Sequence, residues 1–433
     1  MFESTASNLS DFPWGRFRGS KIDFLAADFG ILKGIPALLR EFESETGINV
    51  TFEATPISEY GSRLELARSG DIAAPDVYLQ ELDISSYMDH RNGWSLDLSA
   101  LLDSPEMTCA DFDLSSLAPC LDAATLSCDL GRSIILGIPF AVETYLLFYN
   151  KDLLAHHKVS PPRTIAEWIH SSRRIVDDSC GKHYGTVLRG SAAPANIDVL
   201  TAMVINSCSR SSGLPGNVWF DGDWSRPRAE DPHILRALDW YAQLLATGPV
   251  CYANLGCVAA RNIFMEGQTA FFMDASLMVT DLEGDAISKL PGGVGYLPLP
   301  AAEPGLSGRT GRWMLGLGIP ARTKNVSAAW YLVQWLTHRK QTLRLALDHG
   351  GPIRHGLWAE PSLRARFPAD FVSSISQALV TSSSTSVFHP RWGEMASAIL
   401  LAVHQRLEGK ELARIGCELN DILRNLTGGN YAA

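Results

Sequence analysis

The sequence predicts an α/β protein, long enough for two domains, in which helices flank mainly parallel sheets. Three observations carry this reading. Residues 21–79 run strand, helix, strand, helix, strand, an order that implies a parallel sheet with right-handed crossovers. Residues 137–175 form a second unit of strand, polar turn and helix. At 433 residues, 46% hydrophobic and 19% charged, the chain supports two cores of ordinary size.

The same totals exclude some functions. A net charge of -10 argues against nucleic acid as the main partner, because neutralising phosphates needs a basic surface. No Lys/Arg-rich run is present, and the longest apolar windows, such as 396–403, are too short to span a bilayer. The opening MFESTASNLSDFPWGRFRGS has no charged segment followed by an apolar one, so no secretory signal is read in it. Either a signal lies outside this chain, the start is assigned downstream, or the protein stays in the cytoplasm. Residues 1–19 read as a polar arm whose Phe12, Pro13, Trp14 and Phe17 pack in part on the body.

Eight cysteines lie at 109, 120, 128, 180, 208, 251, 257 and 417. None forms a CxxC and no His stands at zinc-ligand spacing, so no metal site is read from them. Cys251/Cys257 and Cys120/Cys128 each close a short loop that suits a disulfide in an oxidising compartment; free buried thiols are the alternative.

In chain order, 21–27 (KIDFLAA) is a strand that ends at Asp28. Ile35, Leu38, Leu39 and Phe42 recur at helical spacing over 31–46, and Gly47 supplies the stop. INVTFE (48–53) alternates as a strand, Ser58 caps a helix through Arg68, and DVYL (76–79) is a third strand. Ligands bind beyond the carboxyl ends of such strands. Three turns lie there: Asp28-Phe29, 56–60 with Tyr60, and Gln80-Glu81-Leu82-Asp83. None carries GxGxxG or GxxxxGK[ST], so no nucleotide cofactor, and no other cofactor, is indicated.

A less regular stretch follows, with a helical turn at 99–102 and a hairpin turn at 129–132. The apolar run Leu146-Leu147-Phe148-Tyr149 is a strand buried on both faces, and Asn150 to Asp152 cap the next helix. Between the entry GIPF and that run stand Val142-Glu143-Thr144-Tyr145, which are either a buried polar cluster or a ligand contact. Thr164 starts the helix 165–175. YGTVL (184–188) is a strand that delivers Arg189, suited to bind hydroxyls or a carboxylate, or to pair with a surface acid. Residues 195–208 are a long apolar helix, and 232–247 and 259–265 are further helices. The strand 270–273 ends at Asp274. Strands at 294–300 and 314–319 flank a Gly-rich loop leading to Trp313. Helices at 327–337 and 340–349 precede Gly350-Gly351-Pro352-Ile353-Arg354. The remainder is mainly helical, with Trp392 heading one helix.

Several blocks together resemble one family. GIPFAVETYLLFYNKDLL…PPRTIAEW is similar to the signature of the extracellular solute-binding proteins of sugar ABC importers, the maltose-binding-protein-like family. LREFESETGINVTFE, APDVYL, IFMEGQTAFFMDAS, VGYLPLP…RWMLGLGIPARTKNVSAAWYLVQWLT and GGPIR fall in the family's order. YGTVLRG, WFDGDW and FFMDAS resemble most the branch that binds polyols such as mannitol and sorbitol. The chain departs from that branch at 193–195, where Trp and Gly are usual.

The resemblance implies two α/β lobes of the periplasmic-binding-protein fold, joined by crossings near 140, 293 and 340, with the ligand in the cleft between them. The implied division is an arm 1–19, lobe 1 at 20–140 plus 293–340, and lobe 2 at 141–292 plus 341–433. It implies a first-lobe wall of Asp28, Tyr60, Glu81 and Asp83, and a second-lobe wall of Glu143, Tyr145, Arg189 and Asp274. Trp313, Arg354 and Trp392 join on returning segments. The chemistry suits a neutral polyhydroxyl ligand: charged groups bond hydroxyls strongly, and aromatic faces cover C–H faces. The expected role is a non-enzymatic, monomeric, periplasmic or cell-surface receptor. It captures a sugar or sugar alcohol and delivers it to the transmembrane subunits of an ABC permease. A cytoplasmic sugar-binding sensor and a carbohydrate-active enzyme with paired carboxylates remain as other readings.

Overall fold

The structure is a computed structural model. It describes residues 12–428 except 29, 83–88, 91, 118–124, 128–132, 209–217, 222–225, 285–287, 355, 386–388 and 390. Asp83, the hairpin turn at 129–132 and the Cys120/Cys128 pair, together with 222–224 of the WFDGDW block, therefore lie outside the described residues. The chain divides into two compact units: Met1–Val142 with Met314–Leu363, and Glu143–Trp313 with Arg364–Ala433.

In the first unit, strand Lys21–Ala27 lies between Asn49–Thr55 and Val77–Glu81 and is parallel to both. The end of Thr310–Gly318 adds antiparallel to Val77–Glu81, with Leu315 opposite Glu81. Helix Ile35–Thr46 buries Ile35, Leu38, Leu39 and Phe42, the positions that the periodicity selects. Its last turn closes where Gly47, at φ 72°, donates its N–H to the Glu43 carbonyl. The helix starts later than expected because Pro36 sits in its first turn, after the 3-10 turn Gly30–Leu32. The next helix, Ile57–Ser69, has Pro56 at its N-cap, so Ser58 falls inside the first turn and is not the cap. The arm packs as expected in its described part: the rings of Phe12, Trp14 and Phe17 all meet Tyr331 at 4.8 to 5.5 Å.

In the second unit, Tyr184–Val187 and Thr269–Ala275 are parallel. Strand Ile138–Asn150 joins them antiparallel, with Leu146 opposite Asp274, and Val294–Leu297 pairs with its far end. Thr310–Gly318 begins in this unit, parallel to Ser382–Ser384. Parallel pairing is therefore diluted where strands carry the chain from one unit to the other. Asn150 caps Lys151–His156 by accepting from the N–H groups of Asp152 and Leu153, and Thr164 caps Ile165–Asp178 through Glu167. Helix Ile197–Ser207 is buried nearly all round, as its apolar sequence requires. Cys251 and Cys257 are free thiols.

The expected unit boundaries need correction. The first falls at 142/143, close to residue 140, but the others fall at 313/314 and 363/364 rather than near 293 and 340. Val294–Leu297 stays in the second unit because it pairs with Leu147–Asn150. Helices Val326–Thr337 and Arg339–His349 stay in the first, where Trp335 meets Phe42 edge-on and Arg344 holds Glu41 through two hydrogen bonds.

Candidate ligand-binding site

In the second unit two strands deliver polar residues at their carboxyl ends, beside Glu143 inside Ile138–Asn150. Asp274 is the penultimate residue of Thr269–Ala275, inside the strand rather than in the turn after it, and is fully buried. Arg189 follows Tyr184–Val187 and is 7% exposed. Its Nε donates to Asp274 Oδ2 at 2.9 Å, its Nη2 donates to Oδ1, and its Nη1 donates to the Ala195 carbonyl at 3.2 Å. This is the bidentate fork that guanidinium and carboxylate form best. Asp274 Oδ1 also accepts the Ala275 N–H at 2.7 Å.

The segment that carries Arg189 is pinned. Tyr241 donates its hydroxyl to the Arg189 carbonyl at 2.8 Å, and the Gly190 carbonyl lies 2.7 Å from His404 Nε2. Gly190 donates to the Leu255 carbonyl at 2.8 Å, and a Cβ at 190 would stand 2.4 Å from the Tyr252 carbonyl oxygen. Only glycine lets these backbones approach so closely. Gly190→Ala is expected to lower stability by about 1–3 kcal/mol, the usual cost of overpacking; urea unfolding checks it.

Two further carboxyls surround the pair. Burial pushes the Glu143 carboxyl up to about 8; Arg189 opposes the shift, and Asp274 and Asp198 add to it. Burial likewise lifts Asp198 to about 6, against Arg189 and a hydrogen bond from Thr385. Burial leads in both, and because Asp274 already takes up the charge of Arg189, the guanidinium offsets only part of it. Unlike Asp274, Glu143 and Asp198 keep part of their surface accessible. Around them, Thr144 donates its N–H to Ser276 Oγ at 3.2 Å, and Thr310 donates its hydroxyl to the Tyr145 carbonyl at 2.7 Å. Gly311 has no room for a Cβ between Thr385 and Tyr145, which brings the Thr385 strand end against the cluster.

The expected residues separate as follows. Glu143, Arg189 and Asp274 form one electrostatic cluster. Tyr145 is 1% exposed and its ring belongs to the core of the second unit, although the charges of Asp198 and Glu143 reach its hydroxyl. Trp392 is half-buried at the start of Trp392–Leu407 and packs on the same core, and Trp313 is half-buried. In the first unit, Asp28 is exposed and Glu81 half-buried, each at the carboxyl end of a parallel strand, as expected. Tyr60 is half-buried and donates its hydroxyl to the Leu79 carbonyl, which ties its helix to the sheet.

Arg354 is a correction. It is 1% exposed, and its Nε and Nη1 donate to the carbonyls of Thr337 at 2.8 Å and Asp113 at 2.7 Å. Its Nη1 also donates to the Ser116 hydroxyl, so the guanidinium ties together segments of the first unit. Asp198 and Thr385 were not anticipated. The available signal for Asp198 was its position as the one acid in the apolar helix 195–208.

Residues 26–342 match the bacterial extracellular solute-binding protein family. The chain belongs to that family. Its members are binding proteins rather than enzymes. The chain is 24% identical over 372 residues to the erythritol/L-threitol-binding protein of Mycolicibacterium smegmatis, covering 83% of this chain and 74% of that one. The fold matches an ABC transporter solute-binding protein from Agrobacterium radiobacter K84 in complex with ribitol. That match has a TM-score of 0.76 at 21% identity and covers 94% of this chain and 99% of the other. A second match is to a solute-binding protein from Agrobacterium vitis S4 with bound D-mannitol, at TM-score 0.73 and 20% identity over 96% and 100% of the two chains. The two-unit α/β fold expected from sequence is thus that of the sugar and polyol solute-binding proteins.

Proposed function

We propose that this solute-binding protein captures a small acyclic polyol and hands it to an ABC permease outside the cytoplasm, without chemical change. The observation that carries the reading is the Arg189–Asp274 pair with Glu143 and Asp198 beside it. An amino-acid ligand needs a guanidinium free to take its carboxylate, and this one is committed to Asp274. Hydroxyl groups suit the cluster better. Each hydroxyl donates to a carboxyl oxygen and accepts from a remaining guanidinium N–H, and none brings charge. Erythritol, ribitol and D-mannitol are the polyols named for the relatives above.

A thermal-shift screen over four- to six-carbon polyols, disaccharides and amino acids tests this. A polyol at 100 times its dissociation constant is expected to add roughly 2.7 kcal/mol of stability. Stabilisation by amino acids or disaccharides and by none of the polyols would contradict the proposal.

Glu143 and Asp198, both lifted, also resemble the carboxyl pair of a glycoside hydrolase, one ionised and one not. A binding protein must release its ligand intact. Prolonged incubation with the stabilising ligand, followed by chromatography, is expected to return it unchanged.

A further inference from the structure

We infer that the first unit holds a transition-metal site, of the kind that takes Zn²⁺, built from Cys109, Asp111 and His338. The inference is independent of the polyol reading. One ligand atom from each residue, the Cys109 sulfur, an Asp111 carboxylate oxygen and a His338 ring nitrogen, lies within 4.8 Å of the others. Cys109 is 3% exposed and His338 6% exposed. His338 Nε2 stands 3.4 Å from Asp111 Oδ2, beyond the usual hydrogen-bond range. Both ring nitrogens of His338 and Asp111 Oδ1 are buried without a hydrogen-bond partner. A buried imidazole with neither nitrogen satisfied is costly, and a metal bond at one of them removes part of that cost.

The surroundings hold these groups in place. Gln334 accepts the Cys109 N–H at 3.1 Å and donates to the Met107 carbonyl at 2.8 Å, and Trp330 donates to Thr108 Oγ1 at 3.1 Å. The loop that presents Cys109 and Asp111 is thereby fixed to helix Val326–Thr337. His338 is fixed between two helices, as C-cap of Val326–Thr337 and N-cap of Arg339–His349.

The donors also suit the ion. Thiolate, carboxylate and imidazole together carry two negative charges, which a divalent ion neutralises. On binding, the S–H bond breaks, a sulfur–metal bond forms and the proton leaves to solvent. Sulfur, nitrogen and one carboxylate oxygen are donors that Zn²⁺ accepts and Mg²⁺ or Ca²⁺ do not prefer, and three protein ligands leave one tetrahedral position for water.

Cobalt(II) tests the site, because a cobalt–thiolate bond gives a charge-transfer band in the near ultraviolet. The full chain, with the exposed Cys180, Cys251 and Cys417 changed to Ser, is titrated with Co²⁺ and then with Zn²⁺. The expected result is one equivalent of band, removed by Zn²⁺ and absent in Cys109→Ser. His338→Ala is expected to weaken Co²⁺ binding by more than the roughly 10–100-fold that loss of an outer-shell partner costs. Circular dichroism confirms that both variants are folded. No band in the parent chain, or an undiminished band in both variants, overturns the inference.

Discussion

Asp274→Ala is expected to destabilise the protein by about 3–5 kcal/mol, because it leaves the buried Arg189 guanidinium without its counter-charge. The sequence alone suggests a milder outcome, loss of ligand with the fold intact. Burial changes that expectation: Asp274 is fully buried and Arg189 nearly so, and they meet through two hydrogen bonds. Replacing both at once, with Arg189→Met and Asp274→Leu, removes the stranded charge along with its partner. Most of the lost stability is then expected to return, since apolar groups of similar volume substitute well for buried ion pairs. Polyol binding does not return with it. Urea denaturation of the single and double variants, with and without ligand, separates the two roles. A double variant that still gains wild-type stability from the polyol would make the pair purely structural.

The second large effect is a dependence of stability on pH that Glu143 controls. Its carboxyl rises from an ordinary value of 4.5 to about 8 in the folded chain. Between those values the folded protein keeps a proton that the unfolded chain has released. The contribution is therefore complete below about pH 4.5 and is lost as pH rises through about 8. Asp198 adds a narrower window, from its ordinary 3.8 to about 6. Glu143→Gln cannot ionise, and it keeps the shape of the neutral acid. Wild-type Tm is expected to fall from pH 5 to pH 8 more steeply than that of the variant. At pH 8 the variant is expected to be the more stable by an amount on the order of a few kcal/mol. Parallel Tm profiles would show that Glu143 is ionised and solvated throughout.

Much of the architecture was legible because periodicity and punctuation are local. Ile35, Leu38, Leu39 and Phe42 mark a buried helix face wherever that helix sits, and Gly47 and Asn150 end or cap an element through their own backbone neighbours. Arg189, Asp274 and Glu143 stood out because a charge beside an apolar strand is unusual in any context. That Arg189 and Asp274 bind each other was not legible: they are 85 residues apart and meet only once the parallel pairing of their strands is set. Asp198 carried a similar signal as the one acid in an apolar helix, but nothing local placed it beside Arg189. Arg354 was expected at the site through the family resemblance of GGPIR alone. Its actual role depends on carbonyls at 113 and 337, which no local pattern shows. Tyr145 lies in a strand that is buried along nearly its whole length, and its ring joins the core.

The central claim is that the carboxyl–guanidinium cluster of the second unit bonds the hydroxyls of a polyol. A crystal structure with the most stabilising polyol tests it most directly. The account predicts ligand hydroxyls within hydrogen-bonding distance of Glu143 or Asp198 and of an Arg189 N–H. A polyol bound with none of these residues in contact would contradict it.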